Sequence, residues 1–441
     1  MKNFENADII SNVAYKKKRD NFLPRSEQIR LNAEMKNKMV RFVSEIAAEK
    51  VRPKSMKLFD EMMNGMHGQR VIDLYNYRKA GNHIMTLLCN SIPPELVYGM
   101  GNFIPVSVCM GAGEVEPYAD DIVGEKCSLL RSMVGFLKTG MCVFFNLADY
   151  ILASDLCPYV ATIAQVIPKV SGEFDIYCLK TRMKGGTVNV DAHDLIQWVN
   201  SITNQKGFDR EKLIKYARLF SNLRKEYEKI LALRRHPNPP LDGRNSLWIQ
   251  QLMLVEEPEK LLSSLKKLRS ELEMNLHNNI GYNSDGQKKR VMLITPRIMP
   301  PFGEIFRLIE KCNAILVCEE MDMGITNITY DFDQFNSLMS KPDSSMEKAL
   351  QYMLGKVDEN SSSCVKNFNI RDIISKVESY NVDAVITYSF KNCPVMYHKT
   401  EEICKLLNMR GLAALNLQSD YMEIYDNSDY FIRKISNFLT S

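Results

Sequence analysis

Amphipathic segments of helical period open the chain. Residues 1–24 are polar and basic, which is typical of a solvated arm or a poorly ordered start. From Ser26 to about Lys50, apolar residues recur every three or four positions and predict a helix that stops before Pro53. A second, shorter helix is predicted over residues 54–63. We therefore interpret residues 1–75 as an N-terminal helical segment.

Continuous apolar runs then alternate with amphipathic helical segments to the end of the sequence. The runs contain aliphatic and aromatic residues without strict alternation, as in strands buried on both faces of a parallel sheet. The predicted strands are 103–109, 142–154, 174–180, 290–296, 314–320, 383–389 and 412–418. The predicted helices are 192–203, 209–235, 246–276, 303–313, 345–355, 370–380, 398–409 and 428–440.

This rhythm of strand, helix and strand predicts an α/β fold, with two doubly wound parallel-sheet domains after the N-terminal helical segment. The polar stretch 278–289 contains glycines and is typical of a linker, so the predicted domains are 76–280 and 281–441. Ligands of such sheets bind beyond the carboxyl ends of the strands. Four loops are therefore predicted to share one functional rim, namely 109–114, 296–303, 319–326 and 389–396.

Composition narrows the class of protein. The 441 residues are 45% hydrophobic and 25% charged, which are the proportions of a globular protein. A net charge of +4 is too small to predict binding to nucleic acid or to a membrane surface. No apolar run is long enough for a membrane helix, and the N-terminus lacks the apolar core of a secretory signal. We expect a soluble cytoplasmic protein that binds neither nucleic acid nor membrane.

Common motifs of nucleotide binding and hydrolysis are missing from the sequence. Residues 110–114, MGAGE, follow a predicted strand, but Glu116 stands where the third glycine of a GxGxxG loop would be. A tight turn is therefore favoured over a nucleotide loop. The sequence also contains no Walker A motif, no GxSxG and no HExxH, which disfavours the corresponding ATPases, serine hydrolases and zinc hydrolases.

The eleven cysteines are the unusual feature of the composition. Their number is odd and no CxxC occurs, which disfavours a disulfide framework, a zinc ribbon and a ferredoxin. Most of them are interpreted as small buried hydrophobic residues. Three stand at predicted ends of elements: Cys89 before a helix with Pro93 and Pro94, Cys127 before SLLRS, and Cys393 beyond a buried strand. Helix N-termini favour the thiolate, which is the form that binds metal.

Around these cysteines the sequence resembles the (R)-2-hydroxyacyl-CoA dehydratase family, which includes the ATP-dependent benzoyl-CoA reductase subunits. Cys89–Val106 is similar to the family's Cys-Ser/Asn-x-x-Pro-x-Glu-Leu/Ile motif and the strand after it. Cys127–Ser132 resembles its Cys-Pro-Leu-x-x-Ser segment, with Ser128 in place of the proline. Asp383–Cys393 resembles the strand before its third cysteine, and NLQSDYMEIYDNSDYFIRKISNFL resembles its C-terminal segment. The resemblance covers residues 75–441.

The resemblance implies one [4Fe–4S] cluster held by Cys89, Cys127 and Cys393, with one iron open to a ligand from outside the protein. It also implies a heterodimer with a paralogous subunit, and an ATP-dependent iron–sulfur activator that injects one electron. The implied substrate is a 2-hydroxyacyl-CoA. The implied reaction is that of a hydro-lyase, in which a ketyl radical of the thioester expels the hydroxyl group.

Some positions depart from the family pattern. Cys157 lies in a segment that resembles one of the family's but with a different following residue, which makes Cys157 a substitute candidate ligand. Cys109 lies closer to Cys127 than the usual spacing of the first ligand and ranks below Cys89. Glu95 falls within the matched motif, and we interpret it as a carboxylate at a helix N-terminus rather than as an acid or base. No catalytic residue is assigned.

Three alternatives stay open beside the dehydratase. The chain could be a subunit of a benzoyl-CoA reductase-like enzyme or of another ATP-driven low-potential reductase. It could be a non-catalytic partner subunit of such a heterodimer. It could also be an unrelated doubly wound enzyme whose cysteines are all core residues. Product analysis distinguishes dehydration from reduction, and iron binding distinguishes both kinds of enzyme from a cluster-free protein.

Overall fold

The computed structural model describes most of the chain, and the described residues are 23–88, 92–108, 110–155, 157–170, 174–184, 187–299, 303–321, 330–341, 346–360, 370–393 and 395–441. The predicted N-terminal arm and two of the candidate ligands, Cys89 and Cys109, lie outside the described residues. The candidate ligands Cys127, Cys157 and Cys393 lie within them.

Three helices open the described chain: α1 (Arg25–Ala47), α2 (Met56–Gly65) and α3 (Gln69–Lys79). In α1 the residues buried at helical spacing include Leu31, Phe42 and Ile46. The Phe42 ring packs against Trp248 with 5.7 Å between ring centroids. The predicted N-terminal helical segment is thus confirmed, and its apolar face packs on the core of the following domains.

The first sheet has four parallel strands in the order β2-β1-β3-β4. Its strands are β1 (His83–Leu87), β2 (Phe103–Ser107), β3 (Tyr150–Ser154) and β4 (Asp175–Leu179). The helices between these strands are α4 (Pro94–Tyr98), α5 (Asp120–Val123), α6 (Ser128–Thr139), α7 (Val143–Leu147) and α8 (Pro158–Val170), with a 3-10 helix at Gly113–Ala119. Leu87 of the central strand aligns with Ser107 and Leu152. The carboxyl ends of these strands therefore form one edge.

A hairpin and four helices separate the two sheets. The hairpin strands are β5 (Thr181–Lys184) and β6 (Thr187–Val190), and the helices are α9 (Ala192–Ile202), α10 (Arg210–Leu233), α11 (Gly243–Leu252) and α12 (Pro258–His277). The helices α9, α10 and α11 begin after Asp191, Asp209 and Asp242, whose carboxylates accept backbone N–H groups of the first turn. Helix α10 packs against α4 of the first domain and against α12.

The second sheet also has four parallel strands, in the order β10-β9-β7-β8. Its strands are β7 (Lys289–Thr295), β8 (Ala314–Met321), β9 (Ala384–Phe390) and β10 (Ala414–Ser419). The helices of this half are α13 (Glu304–Lys311), α14 (Phe332–Ser340), α15 (Met346–Asn360), α16 (Ile370–Ser379), α17 (Met396–Asn408), α18 (Glu423–Asp426) and α19 (Ser428–Thr440). Every residue of β9 is buried, as expected for a strand covered on both faces.

The carboxyl ends of both sheets meet around the loop that follows β2. Gly111 in this loop has a φ of +89°. A Cβ at Gly111 would lie 2.9 Å from the Cβ of Met299, which follows β7, and 3.3 Å from the hydroxyl of Tyr421, which follows β10. The MGAGE segment thus forms a tight turn between the two sheets, where only glycine combines this backbone with this close approach.

The fold class is confirmed as α/β, with two parallel sheets flanked by helices. The domain boundaries near residues 75 and 280 stay predictions. Within the described residues, the helices include none that is both long and apolar enough to cross a membrane.

Three of the differences from the prediction have a clear cause in the sequence. The first half of the predicted strand 142–154 is helix α7, because a short apolar run does not distinguish a buried helix from a buried strand. The predicted helix 246–276 is two helices, since Pro258 cannot continue the first one and instead opens α12. Strand β1 was missed, because its five residues begin with the polar His83 and contain Thr86.

Candidate functional site

Cys127 lies at the N-terminus of helix α6. It is the N-cap residue, with extended backbone angles, and its side chain is buried. Gly135 fixes the position of this helix, because a Cβ there would overlap the backbone carbonyl of Val115 in the 3-10 helix. The thiol is therefore held against the carboxyl edge of the first sheet by close helix packing.

Cys393 approaches from the second domain. It follows β9 through Asn392, which adopts the left-handed backbone with a φ of +57°, and it precedes α17. The backbone N–H of Cys393 donates to the carbonyl of Phe390 at 3.2 Å. The N–H of Met396, in the first turn of α17, donates to the Cys393 sulfur at 3.4 Å. The sulfur is thus buried at a helix N-terminus, which favours its negatively charged form.

The two thiols meet and share a hydrogen bond. This bond from Cys127, which outweighs the opposing effect of burial, lowers the pKa of Cys393 to about 7, and the backbone N–H groups of the α17 turn add to the shift. The same hydrogen bond, together with burial, raises the pKa of Cys127 well above its usual range. Cys127 is therefore the proton donor of the pair and Cys393 the acceptor, so that one thiolate forms more easily than two.

Cys157 lies near this pair. It directly precedes α8, is half-buried, and its negative charge contributes to the raised pKa of Cys127. Tyr159, in the first turn of α8, donates its hydroxyl hydrogen bond to the carbonyl of Asn392 at 3.0 Å. Burial first, and then the charges of all three cysteines, raise the pKa of Tyr159 to about 12. The structure therefore groups three thiols from three connections between strands.

Glu95 lies in the first turn of α4, as predicted, and it also has a partner from α10. Its carboxylate is fully buried, and its Oε1 atom accepts hydrogen bonds from Arg224 at 2.7 Å and from the Tyr330 hydroxyl at 2.8 Å. The Arg224 guanidinium lies over the Tyr330 ring, 5.1 Å from its centroid. Glu95 thus forms an ion pair between α4 and α10, and this gives it a structural role beyond its position at a helix N-terminus.

Three further polar residues near the thiols were not singled out from the sequence as site residues. Glu116 is buried and accepts a hydrogen bond from Arg131 at 2.8 Å; burial raises its pKa to about 8. Arg297 is also buried, and its guanidinium donates to the sulfur of Met110 at 3.4 Å. Tyr421 is buried beside both; burial first, and then the charges of neighbours that include Glu116 and Cys127, raise its pKa well above its usual range, while Arg297 opposes this shift. Single polar residues without a motif carry no signal in the sequence.

The donor set of this site fits a thiophilic metal centre. Two buried thiols in contact, with a third nearby, offer soft ligands of the kind that bind iron–sulfur clusters. Backbone N–H groups point at the Cys393 sulfur, and such donors stabilise cluster thiolates. Of the three predicted ligands, the structure brings Cys127 and Cys393 together, and Cys89 lies outside the described residues.

Two parallel sheets whose carboxyl edges share a thiol site define a two-domain α/β protein with a candidate metal centre. The family model for the 2-hydroxyglutaryl-CoA dehydratase D-component matches residues 89–438, which is most of the sequence. The chain belongs to this family, as the resemblance in its sequence indicated. Comparison with curated proteins gave no match.

Proposed function

We propose that this chain is the iron–sulfur subunit of a 2-hydroxyacyl-CoA dehydratase, which removes water from an (R)-2-hydroxyacyl-CoA in the cytoplasm. The observation that carries the proposal is the hydrogen-bonded pair of buried thiols, Cys127 and Cys393. Membership of a dehydratase component family supports the reaction class. The thiol pair supports a metal centre, because two buried cysteines from different domains have no need to meet for packing alone.

In this proposal Cys89, Cys127 and Cys393 hold one [4Fe–4S] cluster. When bound, the cluster supplies one-electron chemistry. The chain itself stabilises the thiolates: Cys127 is the N-cap of α6, at the positive end of the helix dipole, and the Met396 N–H donates to the Cys393 sulfur. The same burial excludes water from the sulfur atoms.

Two protein partners belong to the proposal. One is a paralogous subunit, which forms a heterodimer with this chain, because the family is named for one component of a dehydratase. The other is an ATP-dependent iron–sulfur activator, which delivers the low-potential electron. The small-molecule partner is an acyl-CoA thioester.

The test is the iron and acid-labile sulfide content of the full chain purified without oxygen, together with an EPR spectrum after reduction with dithionite. We expect about four irons and four sulfides per chain. Conversion of a (R)-2-hydroxyacyl-CoA to the enoyl-CoA, in the presence of the partner subunit, the activator and ATP, then tests the reaction. A chain that holds no iron after anaerobic reconstitution contradicts the proposal and favours a non-catalytic partner subunit.

Product analysis distinguishes the second candidate within the same family. A benzoyl-CoA reductase-like enzyme or another low-potential reductase adds electrons and protons to its substrate and eliminates no water. The same purified complex answers both questions, because loss of the hydroxyl group and reduction of a ring give different masses.

A further inference from the structure

A second cluster of ionisable side chains lies apart from the thiols and shares no residue with them. It consists of Glu49 just after α1, Asp242 at the start of α11, and Glu310 in α13. One carboxylate oxygen from each residue lies within 4.8 Å of the other two. The cluster thus joins the N-terminal helical segment to two helices that follow the first sheet.

Asp242 is the most buried member, with 1% of its surface exposed. Its Oδ1 atom caps α11, because it accepts hydrogen bonds from the backbone N–H of Asn245 at 2.9 Å and from the Asn245 side chain at 2.6 Å. Its Oδ2 atom has no hydrogen-bond partner among the described residues. The nearby cationic atom is Nε of Arg244, at 3.7 Å. A buried carboxylate oxygen without a partner is costly unless another group neutralises it.

The protein supplies too little positive charge for three carboxylates. Arg244 contacts both Glu49 and Glu310, and among the described residues it is the guanidinium with ion pairs to all three carboxylates. The neighbouring Arg52 is occupied, because it makes two hydrogen bonds of 2.7 Å with Asp60. One guanidinium against one buried and two partly buried carboxylates leaves an excess of negative charge at this place.

The acid–base behaviour of the cluster agrees with this excess. Burial first, and then repulsion from Asp242, raise the pKa of Glu49 to about 7. The same two causes raise the pKa of Glu310 well above its usual range. Without an added cation, these two groups retain protons at a pH where ordinary carboxylates have lost them.

We propose that Glu49, Asp242 and Glu310 bind a hard divalent cation, Ca²⁺ or Mg²⁺. Carboxylate oxygens are the ligands that both ions prefer, and metal–oxygen distances of about 2.0–2.6 Å separate two ligands of one ion by no more than about 5 Å. The three carboxylate oxygens lie within 4.8 Å of one another, as this geometry requires. The cation would take the Oδ2 atom of Asp242 as a ligand and tie α1, α11 and α13 together.

The experiment is isothermal titration of the full chain with CaCl₂ and, separately, with MgCl₂, after dialysis against EDTA and then buffer. We expect saturable binding of one ion per chain, and a rise in Tm on the order of 3 °C at a hundredfold excess over Kd. The two titrations decide which cation binds more tightly. Hard cations do not compete for thiolates, so the result is independent of the iron–sulfur centre.

Two variants make the assignment specific. Glu310→Gln and Asp242→Asn each remove one charged ligand while keeping the shape of the side chain, and we expect both to lose binding and the rise in Tm. Glu319→Gln is the control, because Glu319 is a buried carboxylate of β8 that is paired with Arg234 outside the cluster. This variant should bind the cation as the unchanged protein does.

Two results would overturn the proposed cation site. If neither salt gives binding at millimolar concentration and EDTA leaves Tm unchanged, protons rather than a cation neutralise the cluster. Binding that survives in both ligand variants also overturns the proposal, because the ion then lies elsewhere.

Discussion

The two sheets have the same strand order, but the cysteines at their carboxyl edges have different surroundings. Each sheet places its second, first, third and fourth strands side by side. Cys157 follows the third strand of the first sheet and precedes α8, and Cys393 follows the third strand of the second sheet and precedes α17. Both are followed by proline in the sequence. The two cysteines therefore occupy equivalent positions in two equivalent halves.

The surroundings of Cys157 and Cys393 differ because the thiol of Cys127 hydrogen-bonds to Cys393. Cys127 reaches the shared edge from the connection between β2 and β3, and it hydrogen-bonds to Cys393. Cys157 influences the pair through its charge and remains half-buried. Equivalent topology thus places two thiols at the same edge, and the packing of α6 places Cys127 against Cys393.

The largest expected effect comes from removing one cysteine of the Cys127–Cys393 pair. Cys393→Ala should lose most of the cluster iron while the fold is retained, because it removes one of three thiolate ligands. The measurement is iron per chain after anaerobic reconstitution, beside a far-UV circular dichroism spectrum. Cys404→Ala is the matched control, since Cys404 is also buried and lies on the helix that follows Cys393. Full iron content in Cys393→Ala would remove this residue from the ligand set.

The second prediction compares how the two halves are joined to α10. Arg224 pairs with Glu95 of the first domain, and Arg234, at the C-cap of the same helix, pairs with Glu319 of β8 at 2.8 Å. Either Arg→Met change should lower the free energy of unfolding by about 3–5 kcal/mol, because it leaves a buried carboxylate without its counter-ion. Urea unfolding measures the loss.

The exposed Arg218, on the same helix, provides the control for these two variants. Arg218→Met should cost less than about 1 kcal/mol. If Arg224→Met and Arg234→Met were no more destabilising than Arg218→Met, the ion pairs would contribute nothing to holding the two halves.

A smaller effect concerns pH and the first domain. The pKa of Glu116 is raised to about 8 in the folded state, mainly by burial, so its contribution to stability is present below the ordinary carboxyl range and is lost as pH rises through about 8. Glu116→Gln should flatten this part of the stability profile. Urea unfolding at pH values between 5 and 9 tests it, with the exposed Glu402→Gln as control. An unchanged profile in Glu116→Gln contradicts the raised pKa.

The smallest effect is expected for Cys157, and it tests whether Cys157 differs from Cys393 in iron binding. Cys157→Ala should keep its full iron content if Cys89, Cys127 and Cys393 are the ligands, and should change only the EPR line shape, because a nearby polarisable thiol is removed. A large loss of iron in this variant would instead assign Cys157 as a ligand in place of one of the three.

Much of the fold was predictable because buried parallel strands leave long apolar runs. The strands of the second sheet are six to eight residues long and were all found. Those of the first sheet have five residues each, and β1 was missed. The common strand order was not visible either, because the connections between corresponding strands differ in length and in their helices.

The candidate site was only partly predictable. Cys127 and Cys393 were found through the family resemblance, since their separation in the sequence gives no reason for them to meet. Glu116 and Arg297 had no such signal. Their importance depends on burial between two domains, which is a property of the folded chain and of no local pattern.

The two arginines of α10 also constrain how this protein can change by insertion or deletion. Each residue of an α-helix turns the chain by about 100°, so one residue added between Arg224 and Arg234 would rotate the second guanidinium away from Glu319. The two ion pairs therefore fix the rotation between the two ends of this helix. Its length can change only by a number of residues close to whole helical turns. Relatives that lengthen or shorten this helix are expected to do so by three, four or seven residues, or to have lost one of the two ion pairs.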